Sequence, residues 1–150
     1  MSAAGDRPPP AEAAGPLKSA FYTVGRGTGG LRDWVTLLHP PYTLWHLSYV
    51  VLGAVVVPHL VLWRLGVSVL AFFLAVGVGA HALDELNGRP LGTGIPRSVL
   101  AVAAGVTIAA AAALGFVFGG LRGLPFIIAG GVLVCGYNLE LFGGRLHSDW

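Results

Sequence analysis

Residues 98–121 read SVLAVAAGVTIAAAAALGFVFGGL, a run of 24 residues that contains no Asp, Glu, Lys or Arg. A helix needs about 20 apolar residues to cross the hydrocarbon core of a bilayer, so this run has spanning length. Residues 65–83 and residues 123–139 also lack these four residue types. Helices of this kind need an apolar environment on most sides, and the sequence predicts that lipid supplies it.

The composition of the whole chain supports the same class. Of 150 residues, 11% are charged and 55% are hydrophobic, whereas an ordinary soluble domain has about 25% charged residues. These values exclude a disordered chain and disfavour a soluble globular domain. A net charge of +2 with scattered basic residues excludes a nucleic-acid-binding protein. The single cysteine, Cys135, excludes an intrachain disulfide framework.

The predicted fold class is all-α, a polytopic transmembrane helical bundle with about four spans. The spans are expected at about residues 41–57, 60–83, 97–118 and 124–142. Turns are expected at Pro58-His59 and at residues 119–123, where Gly and Pro interrupt the apolar runs. A flexible tail with a short interfacial segment, residues 1–36, precedes the transmembrane domain, residues 37–150. The ending at Trp150 resembles the entry to another helix, so the chain is expected to be a fragment.

The basic residues predict the orientation of the bundle. Four spans place two of these residues on one side, Arg64 and Arg122. The other seven fall on the opposite side: Arg7, Lys18, Arg26, Arg32, Arg89, Arg97 and Arg145. Basic residues are enriched on the cytoplasmic side of membrane proteins. The sequence therefore predicts a multi-pass protein of the cell membrane with a cytoplasmic N-terminus.

The densest group of chemically useful residues ends the second predicted span. His81, Asp84 and Glu85 have the spacing i, i+3, i+4, which places them on one face of a helix. An imidazole and two carboxylates can bind a divalent metal ion, and Arg89 could add a guanidinium for a phosphate. The alternative is an ordinary helix end, in which Asp84 or Glu85 pairs with Arg89 or Arg97.

Two further residues are metal-ligand candidates because they lie within apolar spans. Glu140 lies near the end of the fourth predicted span, and an ionisable residue in such a position is a functional candidate. Its alternative is an ion pair with Arg145. His46 lies within the first span, where its alternative is a packing role. Imidazole ligands suit Zn, Fe or Mn better than Mg.

Three segments of the chain resemble the first half of the UbiA-like membrane prenyltransferase superfamily. Residues 39–44 (HPPYTL) resemble the entry to the family's first helix. Residues 79–96 (GAHALDELNGRPLGTGIP) resemble its first aspartate-rich region and the Arg-Pro-Leu segment that follows. Residues 137–145 resemble the loop after its fourth helix. This sequence has His81 where the family usually has asparagine, and it lacks a second aspartate four residues after Asp84.

The resemblance implies a helical bundle whose active site faces the cytoplasm and transfers isoprenyl groups. It implies Mg²⁺ near Asp84, an isoprenyl diphosphate or other lipid-soluble substrate, and substrate contacts from Arg89, Asn138 and Arg145. Two other functions stay open. One is a metal-binding membrane protein that uses His46, His81, Asp84, Glu85, Glu140 and His147. The other is a non-catalytic helical membrane protein.

Overall fold

The computed structural model describes residues 29–141, 143 and 145. Its regular elements are α1 (Leu31–Leu38), α2 (Pro40–Val55), α3 (Leu62–Phe72), α4 (His81–Leu86) and α5 (Arg97–Asn138). A π-helical segment, Phe73–Ala80, joins α3 to α4 without a break. No strand occurs in the described part of the chain. The all-α prediction is confirmed, and the four predicted apolar stretches are helical over most of their lengths.

Prolines mark where the helices begin. Pro40 and Pro41 occupy the first two positions of α2, and Pro96 is the N-cap of α5. Proline suits the first helical turn because its ring fixes φ and its missing N–H has no partner there. α1 and α2 meet at His39, whose φ of 42° lies in the left-handed region. The two helices are thus separate elements with a sharp joint between them.

α5 contains a reversal of chain direction at Gly120. This residue has φ 57° and ψ −152°, a conformation that only glycine adopts readily. A Cβ atom built on Gly123 would lie 3.2 Å from the carbonyl oxygen of Gly115, whereas the two residues would be about 12 Å apart along a straight helix. α5 is therefore a helical hairpin, with a first arm at residues 97–119 and a second arm at residues 121–138.

Two of the described helical stretches are long and apolar enough to cross a membrane. They are Leu62–Leu86, with 25 residues and mean hydropathy 2.0, and Arg97–Asn138, with 42 residues and mean hydropathy 2.2. Only 22% and 11% of their most apolar windows are buried within the molecule. A core helix of a soluble protein would be mostly buried, whereas a lipid-facing helix exposes its apolar side chains. The two helices thus indicate a lipid bilayer environment.

A small core lies at one end of the bundle. Its buried apolar side chains are Leu37, Ala82, Ile95, Leu100 and Ala104. They come from α1, α4, the start of α5 and residues 87–96, which form the loop between α4 and α5. The N-terminus of α2 lies at the same end, because the rings of Tyr42 and His81 are 5.9 Å apart. We call this end of the molecule the loop end.

Two buried glycines allow the π-helical segment to pack closely against its neighbours. A Cβ atom on Gly77 would lie 2.8 Å from Phe73 Cδ2 and 3.1 Å from Thr43 Cγ2. A Cβ atom on Gly79 would lie 2.7 Å from Ile108 Cγ1. Real Cβ atoms do not approach other heavy atoms below about 3 Å, since packed interiors leave no overlap. Gly79 therefore permits the close contact of this segment with α5, and Gly77 leaves room for Phe73 of the same segment and for Thr43 of α2.

Candidate functional site

Glu85 is fully buried and holds the loop between α4 and α5. Its Oε1 accepts hydrogen bonds from the backbone N–H and the hydroxyl of Thr93, each at 2.8 Å, and its Oε2 accepts one from Leu91 N–H at 3.0 Å. A buried carboxylate needs such donors to replace the water it has lost. The predicted metal ligand Glu85 thus directs both oxygens towards the loop.

Asp33 ties α1 to the same loop. It is buried in α1, and its Oδ2 accepts hydrogen bonds from Gly29 N–H at 2.6 Å and from Gly94 N–H at 2.9 Å. Asp33 is not among the site residues that the sequence pattern predicts. A signal existed, because Asp33 is the only acidic residue between Glu12 and Asp84 and it follows a glycine-rich stretch. Backbone N–H groups of such a stretch have no partner in a helix or strand, so they need another acceptor when they are removed from water.

Arg89 contributes a third set of bonds to the loop. Its φ of 52° lies in the left-handed region. Its guanidinium donates to the carbonyl oxygens of Thr93 at 2.6 Å and Ile95 at 2.9 Å. A guanidinium has five N–H donors, and two of its nitrogens are committed here. Because Asp33, Glu85 and Arg89 together hold residues 87–96, we call this segment the pinned loop.

Four aromatic side chains meet beside the pinned loop and form what we call the ring cluster: His39, Tyr42, His46 and His81. The ring centroids of His39 and His81 are 5.6 Å apart, and those of Tyr42 and His46 are 4.1 Å apart. Tyr42 also contacts His81 at 5.9 Å. The cluster joins the α1–α2 joint, the first turns of α2 and the start of α4, so it brings together the predicted candidates His46 and His81.

Backbone carbonyls determine the tautomers of two of these histidines. Nδ1 of His81 lies 2.9 Å from the carbonyl oxygen of Gly77, and Nδ1 of His46 lies 2.9 Å from that of Tyr42. A carbonyl oxygen only accepts hydrogen bonds, so each Nδ1 carries the proton. In the neutral ring, Nε2 then holds a lone pair that can accept a hydrogen bond or bind a metal ion.

Asp84 and Tyr137 border the ring cluster. Asp84 interacts electrostatically with His81 and with Tyr42, and Tyr137 of the second α5 arm interacts with Tyr42. Burial, and secondly the neighbouring His81, lower the pKa of His39 below its usual value of 6.5. His39 is therefore neutral near pH 7. The cluster and the two residues that border it thus combine three imidazoles, two phenol rings and one carboxylate.

An apolar cavity of about 420 Å³ lies between α3, the π-helical segment and both arms of α5. Among its lining residues are Val76, Ala111, Ile127 and Val134. Val76 directly precedes Gly77, whose carbonyl binds His81. Val134 lies one helical turn before Tyr137. Two lining residues of the cavity are thus close in the sequence to residues at the ring cluster, although no residue of that cluster is among those that line the cavity.

The remaining predicted residues lie near the end of the second α5 arm. The Asn138 amide donates to the carbonyl oxygen of Val134 at 2.7 Å. Glu140 follows the helix, is exposed and has a φ of 50°. Arg145 is exposed as well, and His147 lies outside the described residues. Substrate contacts by Asn138 and Arg145, and metal binding by Glu140, remain predictions.

A metal centre is not assembled in the described part of the chain. There, no three side chains of the types His, Cys, Asp and Glu are placed so that they could hold a metal ion. His81 and Asp84 do lie near each other, whereas Glu85 faces the pinned loop. The predicted divalent cation, whether Mg²⁺, Zn, Fe or Mn, remains a prediction.

No protein-family model matches this sequence, and the curated proteins and solved structures include no significant match to it.

Proposed function

We propose that this chain is a multi-pass protein of the cell membrane with four helical spans and a cytoplasmic loop end, where it binds a lipid-soluble substrate. The hairpin at Gly120 supports this topology, because it divides the 42 residues of α5 into two crossings. Leu62–Leu86 supplies a third crossing and α2 the fourth. The excess of Lys and Arg on the side of the loop end supports the orientation.

One observation carries the binding function: an apolar cavity lies between α3, the π-helical segment and both arms of α5, and its lining residue Val76 directly precedes Gly77, whose carbonyl binds His81. Sites for small molecules are mostly apolar and contain a few polar groups that orient the ligand. A volume of about 420 Å³ lies within the range of such sites. An apolar tail would occupy the space between Ala111, Ile127 and Val134, and a polar head would reach His81.

The resemblance to the UbiA-like superfamily extends this proposal to an activity. It implies a prenyltransferase-like enzyme whose isoprenoid substrate enters from the bilayer. Val76, which lines the cavity, lies three positions before the segment 79–96 that carries the resemblance. An isoprenoid chain is apolar and flexible, which suits a cavity lined largely by Ala, Gly, Val and Ile residues.

The test measures binding of tritiated geranylgeraniol and of geranylgeranyl diphosphate with Mg²⁺ to the purified chain in nanodiscs. Ala111→Phe places a ring in the cavity and should weaken binding of both probes about tenfold or more. Ala113→Phe is the matched control, because Ala113 is exposed on the same arm and does not line the cavity. It should bind both probes like the wild type.

Two results would contradict the proposal. One is binding no greater than that of empty nanodiscs for both probes. The other is equal affinity of wild type, Ala111→Phe and Ala113→Phe, which would place the probes outside the cavity.

A further inference from the structure

We infer that α1 and the pinned loop form a docking surface for the head groups of anionic phospholipids. This inference rests on the topology in the proposed function, which places the loop end at a membrane surface, and it adds the class of lipid that binds there. Two features carry it: three arginines placed around Gly94, and an exposed apolar face on α1.

Three arginines lie near Gly94 of the pinned loop: Arg32, Arg89 and Arg97. The first directly precedes Asp33, whose carboxylate accepts the N–H of Gly94 at 2.9 Å. The second donates to the carbonyl oxygens of Thr93 and Ile95, which flank Gly94. The third follows Gly94 by three positions and begins α5. A guanidinium is always charged in proteins, so this part of the loop end carries three positive charges.

The acidic residues nearby turn away from the outer surface. Asp33 and Glu85 are buried, and their oxygens accept hydrogen bonds from backbone N–H groups. Asp84, the other acidic residue between residues 29 and 100, interacts with the ring cluster. Arg32 and Arg97 are both exposed. The outer surface of α1 and the pinned loop is therefore positively charged and suits an anionic partner.

The outer face of α1 adds apolar side chains to this charge. Asp33 and Leu37 lie on the buried face of the helix, whereas Leu31 and Val35 are 80% and 49% exposed on the opposite face. Arg32 lies between them in the sequence and is exposed too. Because α1 precedes the first proposed crossing, the hydrocarbon core does not surround it. A helix with exposed apolar and basic side chains binds in the plane of a membrane surface.

The ends of the apolar helices place the pinned loop at the depth of lipid head groups. One apolar stretch ends at Leu86 and the next begins at Arg97. In the proposed topology, the loop between them lies just outside the hydrocarbon core, where the lipid phosphates also lie. The anionic lipids of the cytoplasmic leaflet attract basic residues that adjoin membrane-spanning helices.

A lipid surface fits these exposed groups better than a soluble acidic partner does. A soluble polyanion would contact the arginines but leave Leu31 and Val35 in water. A bilayer surface covers both kinds of side chain, and apolar burial adds to the electrostatic attraction. We therefore assign the surface to the anionic lipids of the leaflet that contains the loop end.

The experiment measures, by native mass spectrometry, the affinity of the full chain in neutral detergent for dioctanoyl phosphatidylglycerol and dioctanoyl phosphatidylcholine. The two lipids share their acyl chains and a phosphate, but only the first has a net negative charge. Wild type should bind the first about tenfold or more tightly, because each basic residue near an anionic surface contributes about fivefold. The double variant Arg32→Gln with Arg97→Gln should bind the two lipids with nearly equal affinity.

The matched control is the double variant Arg64→Gln with Arg122→Gln. It removes the same charge from two exposed arginines at the other end of the bundle, where the rings of Trp63 and Phe118 are 5.6 Å apart. This variant should keep the wild-type preference for phosphatidylglycerol. A third probe, glycerophosphoglycerol, is the anionic head group without acyl chains, and it should bind wild type about tenfold or more weakly than the lipid because apolar burial is lost.

Equal affinity of wild type for the two lipids overturns the inference, and this comparison needs no variant. Retention of the preference in the Arg32 and Arg97 variant, or its loss in the control, places the lipid elsewhere and overturns it as well. Binding of glycerophosphoglycerol as tight as that of the lipid would assign the surface to a soluble anion. The proposed substrate fails separately: geranylgeraniol would then not bind, while the arginine-dependent lipid preference persists.

Discussion

The carboxylate of Asp33 accepts a hydrogen bond from Gly94 N–H at 2.9 Å, although the two residues are 61 positions apart in the sequence. This bond joins α1 to the pinned loop, and Glu85 holds the same loop from the other side through Thr93 and Leu91. Two buried carboxylates from distant parts of the chain therefore hold one segment of backbone. The arrangement gives each acid a structural role that can be measured.

Glu85→Gln should destabilise the folded chain by about 2 kcal/mol, because hydrogen bonds to a charged acceptor contribute about 1.5–3 kcal/mol each and the amide retains part of them. One amide N–H₂ would also face the N–H groups of Thr93 or Leu91. The measurement is thermal unfolding in detergent. Glu140→Gln is the matched control, since Glu140 is exposed, and it should unfold like the wild type. Equal unfolding temperatures for the two variants would contradict the assigned role of Glu85.

Gly79→Ala should destabilise the chain by about 1–3 kcal/mol, the usual cost of overpacking a filled interior. The new methyl group would lie 2.7 Å from Ile108 Cγ1. Gly66→Ala in α3 is the control, because no atom lies within 4 Å of its added Cβ. It should be neutral or stabilise by up to ~1 kcal/mol, since alanine favours a helix more than glycine does. Thermal unfolding of both variants under one condition tests the close packing of the π-helical segment.

Stability should fall as the pH drops below about 6.5, with His39 as one source. Burial and His81 lower the pKa of His39 in the folded chain. As the pH falls below the usual pKa, His39 takes up a proton in the unfolded chain but not yet in the folded chain. The folded state therefore loses stability until the pH falls through the lowered pKa that His39 has in the folded chain. His39→Gln should show a shallower loss in unfolding temperature between about pH 8 and about pH 5 than wild type. His59→Gln should keep the wild-type slope, and an unchanged slope in His39→Gln would refute the assignment.

The proposed topology makes a separate prediction about accessibility. In a Cys135→Ala background, Arg122→Cys should react with an impermeant maleimide added to intact cells, whereas Asn87→Cys should react only after permeabilisation. Arg122 lies just after the reversal of α5 and Asn87 begins the pinned loop, and both side chains are exposed. Reaction of Asn87→Cys in intact cells, or protection of Arg122→Cys, would contradict a cytoplasmic loop end.

Uncharged runs and proline positions were enough to predict the helices. The start of α5 at Arg97 follows from Pro96, and the reversal at Gly120 lies within the turn expected at residues 119–123. These features depend on local chemistry: proline lacks a backbone N–H, glycine lacks a side chain, and a spanning helix lacks charged residues. Such effects act over a few residues and are visible in a single sequence.

The direction of the acidic side chains could not be predicted in the same way. The spacing of His81, Asp84 and Glu85 indicated one helical face, but Glu85 turns to the pinned loop because the N–H groups of Leu91 and Thr93 need an acceptor. Whether a carboxylate binds an ion or a loop depends on which donors the fold brings near it. The structural role of Asp33 could not be predicted for the same reason, because its hydrogen-bond donor Gly94 lies 61 positions away in the sequence.

In the proposed topology, one pair of backbone torsion angles at Gly120 determines the number of membrane crossings. If that residue were helical, the 42 residues of α5 would form a rod about 63 Å long, about twice the hydrocarbon thickness of a bilayer. Tyr137 would then lie far from Tyr42. In that topology, the odd or even count of crossings, and with it the compartment that Asn138 faces, depends on a residue that has no side chain.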